Sequence, residues 1–216
     1  MKSARQTAFE ILNKIQRDGS YSNLALDTVL DKSNIDTKEK KLASALVYGV
    51  IERRITLDYN IGLYLSQPLK KLKPQALTAL RIGAYQILFM DKIPDSAAVN
   101  ESVTLVKKNG AAFAGGLVNA VLRKIAANGL KTDGSMSVKY SAPEWLCEMW
   151  QKSYGTENAE KILEASFGAV ETVLRVNTEK TDSNDLIELL SSEGFEAEEN
   201  PTAADSLVLK SGGAVH

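Results

Sequence analysis

Between Pro74 and Met90 the chain reads PQALTALRIGAYQILFM, a run that is apolar on nearly every side of a helix. Leu77, Leu80, Ala84, Ile87 and Leu88 share one side, and Ile82, Tyr85, Phe89 and Met90 fill much of the rest. A helix on a protein surface keeps a polar face, so one without it belongs in the middle of a bundle. Pro74 suits the first turn, where its missing N–H has no partner to lose. The helices that surround such a segment must be found elsewhere in the chain.

Residues 1–130 supply them. Ala8, Ile11, Leu12 and Ile15 fall at helical spacing, with Gly19 as a stop, and Leu26, Val29 and Leu30 continue a helix begun near Ser22. Asp36 and Glu39 form a capping box ahead of Leu42, Ala45, Leu46, Gly49 and Val50. Thr56 is placed to cap a helix carrying Leu57, Ile61 and Leu65. After Pro94 come Val99, Val103 and Val106, and after Asn109-Gly110 come Leu117, Val118, Val121, Leu122 and Ile125. No Val/Ile/Thr alternation interrupts this part, which predicts an all-helical domain of about seven helices over 1–130.

Turn-forming residues over 131–140 read as a linker. In 141–216, Ser141 and Glu144 make a second capping box before Trp145, Leu146, Met149 and Trp150. A further helix is expected over 157–167. ETVLRVNT then alternates as a strand, DSNDLIELLSSEG reads as an acidic helix, and FEAEE and SLVLK read as strands. The fold class is therefore mainly α: a helical bundle, a helical connector, and a small α+β segment expected to be incomplete.

Composition divides along the same line. The net charge of -1 conceals 19 Lys and Arg against 11 Asp and Glu in residues 1–130, and 7 against 16 in residues 131–216. A basic front and an acidic back predict that a polyanion meets the first unit. One cysteine excludes an internal disulfide framework, and one histidine, His216, removes most routes to a histidine metal site or triad. No apolar run approaches the ~20 residues of a membrane helix. The start MKSARQTAFEIL does not read as a signal peptide, so a cytoplasmic location is expected.

Three stretches, LRIGAYQILFMDKIPDSAAVNESV, GGLVNAVLRKI, and LDYNIG after ALVYGVIERR, resemble the NusB-like helical RNA-binding module. SAPEWLCEMWQKSYG and ETVLRVNT look like the segment that follows it in the Sun/RsmB family of ribosomal RNA 5-cytosine methyltransferases. The resemblance implies an RNA-binding, substrate-recognition region whose partners are small-subunit ribosomal RNA and its own methyltransferase domain. It also implies S-adenosylmethionine and a cysteine nucleophile in that further domain, whose motifs are absent here. No cofactor or catalytic residue is expected in this chain, which alone is expected to be inactive. Two alternatives stay open: a stand-alone antitermination factor, or a helical module that docks a protein partner or a second copy.

Lys and Arg neutralise phosphates and release counterions, so the candidate RNA contacts are cations. Those in the first unit are Lys2, Arg5, Arg17, Arg53, Arg54, Lys107, Lys108, Arg123 and Lys124, with the first helix, by resemblance, the leading face. Arg175 and Asn177 join them on one face of the predicted strand, in the LRVN stretch that by resemblance helps hold RNA. Gln86, Asn100, Glu101 and Asn119 are read as structural polar groups; Arg123 either reaches RNA or, as the favoured reading, pairs with Glu101. Aromatic stacking looks poorly provided for: residues 1–130 hold no Trp, and Tyr48 is expected in the core. GAAFAGG, Gly110 to Gly116, lacks phosphate-loop spacing and reads as a tight helix connection, and Cys147 reads as a small helix-face hydrophobe.

Overall fold

The structure, a computed structural model, describes residues 3–18, 29–30, 35–168 and 171–211. The chain forms two compact units, residues 1–163 and 164–216. The first contains α1 (Ala4–Asp18), α2 (Thr37–Glu52), α3 (Arg54–Gly62), α4 (Pro74–Phe89), α5 (Asp95–Lys108) and α6 (Gly115–Asn128). It continues through α7 (Met136–Tyr140), α8 (Glu144–Tyr154) and most of α9 (Thr156–Ala165). The helix expected to begin near Ser22 lies outside the described residues, apart from Val29 and Leu30, which are helical.

α4 occupies the centre, as its apolar circumference requires. It packs against α1, α2, α3, α5 and α6. Its own Leu80 and Ile82 are fully buried, as are Ile11, Leu46, Leu57, Ile61, Leu122 and Ile125 of the helices around it. Burying each such side chain contributes about 1.5–3 kcal/mol. Two glycines allow the close crossings. A Cβ on Gly83 would overlap Leu122 and Ser102, and one on Gly49 would overlap the Tyr85 ring.

The helix starts differ from the sequence reading in instructive ways. Asp36 accepts from the Glu39 amide at 2.8 Å, as the capping box predicts. The Glu39 carboxylate, however, accepts the Ala4 amide at 2.5 Å and so closes the start of α1. Thr56 does not cap α3; it lies inside that helix and donates its hydroxyl to the Val138 carbonyl at 2.6 Å. Ser141 does not cap α8, which starts behind Pro143 without a side-chain cap. It ends α7 in the left-handed region, φ 52°, and its Oγ accepts the Ile55 amide at 3.0 Å.

These contacts change the division of the chain. Residues 131–140 were expected to be a linker, but they contain α7 and are fastened to α3. Asn60, fully buried, accepts the Lys131 amide and donates to the Lys131 carbonyl, both at 2.9 Å. With Thr56 and Ser141 this makes the segment part of the bundle, and the compact boundary falls after Leu163.

The second unit follows the expected order. β1 (Thr172–Arg175), β2 (Glu196–Glu199) and β3 (Ser206–Ser211) form a three-stranded antiparallel sheet in the order β1-β3-β2, with α10 (Ser183–Ser192) between β1 and β2 in the chain. Asp182 caps α10 by accepting the Asp185 amide at 2.9 Å. Val176, Leu190 and Leu207 form its core, supported by Leu174, Leu186 and Phe195.

Candidate nucleic-acid interface

Burial and pairing separate the candidate cations into those already occupied and those facing solvent. Arg5 is half-buried, and its Nε–H donates to Gln86 Oε1 at 2.7 Å. Gln86 is fully buried and donates its own amide to the Ile82 carbonyl at 3.0 Å. Gln86 thus spends its amide inside the bundle, with Arg5 as its second partner. Arg17 is exposed on α1 and forks onto Asp18 at 2.6 and 3.1 Å, which holds that carboxyl below its ordinary range. Lys2 lies outside the described residues.

Arg53 sits at the break between α2 and α3 with its guanidinium 5.0 Å over the Phe89 ring. Burial there lowers its pKa, because a desolvated cation is disfavoured. Arg81, a further cation of the bundle, is committed to Asp58 by two bonds of 2.7 Å. Arg54 is exposed at the rim of an apolar cleft of about 240 Å³ lined by Leu12, Ile15, Val50 and Ile51.

The expected pair between Glu101 and Arg123 does not form. Both are exposed, and they face different clefts. Glu101 lies toward Ser3, Gln6 and Lys108, whereas Arg123 shares a cleft with Asp95 and Asn100. Arg123 Nε–H donates instead to Asn119 Oδ1, one turn back, at 3.1 Å. Asn100 is exposed too, so neither residue of Asn100-Glu101 locks the helices. The buried polar group on α5 is Ser102, which donates to the Ala98 carbonyl at 2.8 Å. A helical spacing of one residue separates the two faces, which is why the sequence pattern pointed to the wrong neighbour.

Lys107 and Lys108 are exposed in the last turn of α5, where a cation also complements the helix dipole. Lys124 is exposed on α6. In the second unit Arg175 is exposed at the end of β1, and Asn177 lies beyond it, accepting the Glu179 amide at 3.2 Å. Cys147 is buried, and desolvation raises its thiol pKa, which fits the apolar reading rather than a nucleophile.

Three features escaped the sequence reading. Tyr48 is 46% exposed rather than in the core, because Leu46, Val47 and Val50 take the inner face of α2. Phe113, in a 3₁₀ turn over Ala112–Ala114, is 74% exposed. The Asn60 clamp has a signal in retrospect: a lone amide between Tyr59 and Ile61 on a helix is buried only with partners.

A helical bundle with its most apolar helix at the centre, followed by a β-α-β-β unit, defines the architectural class. Residues 2–127 match the NusB family, and residues 142–216 match the Methyltr_RsmF/B-like, ferredoxin-like domain. The chain belongs to the NusB family. It is 34% identical over 97% of its length to the Probable ribosomal RNA small subunit methyltransferase B of Bacillus subtilis, covering 48% of that protein. The chain thus spans about half the length of that curated relative. The fold of "Crystal Structure of PH0851" covers 99% of this chain and 50% of that one, with a TM-score of 0.67 at 18% identity. "Crystal Structure of Antitermination Factors NusB and NusE in complex with dsRNA" matches 57% of this chain and 93% of that one, with a TM-score of 0.54 at 28% identity.

Proposed function

We propose that this chain is the RNA-recognition region of a ribosomal RNA small-subunit (cytosine-5) methyltransferase. The observation that carries the reading is the order of its parts. A NusB domain is followed by an RsmF/B-like ferredoxin-like domain, and a relative named a probable ribosomal RNA small subunit methyltransferase B matches across nearly the whole chain. The charge distribution supports it, since residues 1–163 hold 23 Lys and Arg against 16 Asp and Glu. The role is positioning: phosphate contacts fix the RNA's place and orientation while the reacting groups lie outside the described residues.

S-adenosylmethionine belongs to that outside part in this reading. Among the described residues the sheet is wholly antiparallel, and the one strand-to-helix connection, Val176 to Asp182, contains no glycine. It offers no close backbone approach of the kind a nucleotide-binding strand-loop-helix provides.

Of the candidate contacts, Arg54, Lys107, Lys108, Lys124 and Arg175 carry the proposal best, being exposed. Arg5 and Arg53 serve chiefly to join helices. The test is binding of the chain to small-subunit ribosomal RNA fragments across a salt series. Affinity should fall steeply and log-linearly with salt, with a slope of about -0.7 per phosphate contacted on single strands. Weak binding with a flat slope would sink the RNA reading.

A further inference from the structure

Phe113 is the most exposed large apolar side chain among the described residues. Its backbone is nevertheless held in place. Ala111 and Ala114 are buried on either side of it. The Ala111 amide donates to the Val106 carbonyl at 2.9 Å, and the Ala114 amide to the Ala111 carbonyl at 2.9 Å. The ring is therefore presented outward from a turn whose flanks are anchored in the bundle. Contact with such a ring costs less ordering than contact with one on a loose loop.

The surroundings specify what would cover it. Lys107 and Lys108 end α5 just before this turn, and the sequence from Ser102 to Thr132 has no Asp or Glu, although Glu10 and Glu101 line the cleft that Lys108 shares. The Lys107 stem lies against Gly115, 3.6 Å from where a Cβ would stand and two residues from Phe113. Gly116, next along, is exposed, with open space where a side chain would be. An apolar protein partner would leave these ammonium groups facing an uncharged surface. An unpaired nucleotide supplies a flat π-face for the ring and a phosphate for the lysines.

We infer that Phe113 is a base-stacking platform for unpaired RNA, with Lys107 and Lys108 at the same end of the α5–α6 hairpin taking phosphates. This rests on the RNA-binding reading and deepens it: the contact selects bases that are already out of a duplex. Stacking on an aromatic ring tolerates any base, so it favours single-stranded form rather than a particular sequence.

The full chain is titrated into a labelled single-stranded oligoribonucleotide of mixed sequence, and into the same strand annealed to its complement, across a salt series. Phe113→Ala should weaken single-strand binding about 10-fold with the salt slope unchanged, and should leave duplex binding and Tm as they were. Phe113→Trp should restore the affinity. The pair Lys107→Gln and Lys108→Gln should instead reduce the slope by about one to two. Wild-type binding with a normal salt slope, together with less than about a twofold effect of Phe113→Ala on the single strand, overturns the stacking contact and leaves the RNA reading standing. A wild-type chain that binds neither form overturns the RNA reading itself.

Discussion

Thr7 stands in the first helix with 1% of its surface exposed, and its hydroxyl is the buried side-chain oxygen left without a hydrogen-bond partner among the described residues. A buried hydroxyl that gives up water and gains nothing costs roughly 1–3 kcal/mol. Valine has nearly the same shape and nothing to satisfy. Thr7→Val is expected to stabilise the fold by about 1 kcal/mol, raising Tm by roughly 3 °C; an unchanged or lower Tm in a thermal melt would show that the hydroxyl finds a partner. Asn60 is the opposite case. Its amide holds both backbone groups of Lys131 and also donates to the Thr56 carbonyl at 2.9 Å. Asn60→Ala removes the partner of these part-buried groups and should cost about 1–3 kcal/mol, measured by denaturant titration. It should also lose hydrogen-exchange protection at the Lys131 amide before the rest of the bundle.

Elements were legible where one face decides their fate. The central position of α4 followed from its apolar circumference, and the β-α-β-β order of the second unit followed from its alternation. What the sequence could not resolve is which neighbour a polar side chain meets. Glu39 satisfied a capping pattern and in fact closes the start of α1, while Ser141 matched a cap and serves the break between α2 and α3. Such bonds run across 35 and 86 residues, so no local pattern encodes them. The Glu101–Arg123 pair failed for the same reason. One element-scale contact is open to pH. The Glu160 carboxylate of α9 accepts from Lys139 at 2.6 Å and from the Tyr140 hydroxyl at 3.0 Å, both on α7. These bonds depress its pKa below the ordinary carboxylate value. A depressed carboxylate contributes stability that is present above its unfolded pKa and is lost as pH falls through the folded one. The stability difference between wild type and Glu160→Gln should therefore be present at neutral pH and vanish in acid below the ordinary glutamate range; a difference that persists there would mean the charge is not what joins α7 to α9.

At the scale of the whole molecule, the fastening of α7 to α3 decides where the chain can be cut. Sequence composition favours a cut near Leu130, where the apolar periodicity stops. Removing everything after that residue would leave Asn60, Thr56 and the Ile55 amide without their partners at Lys131, Val138 and Ser141. A cut after Leu163 keeps all of them. It also removes 11 Asp and Glu but only 3 Lys and Arg, so the remaining fragment keeps its excess of cations. Residues 1–163 are therefore expected to unfold cooperatively at a Tm several degrees above residues 1–130, since two or three stranded polar groups cost about 2–5 kcal/mol together. The longer fragment should also bind RNA with the full chain's salt slope, less only the share of Arg175. Equal melting temperatures for the two fragments would show that the Asn60 clamp contributes little. A slope that collapses on removing 164–216 would place the main phosphate contacts in the acidic unit, against the charge distribution that assigns them to the bundle.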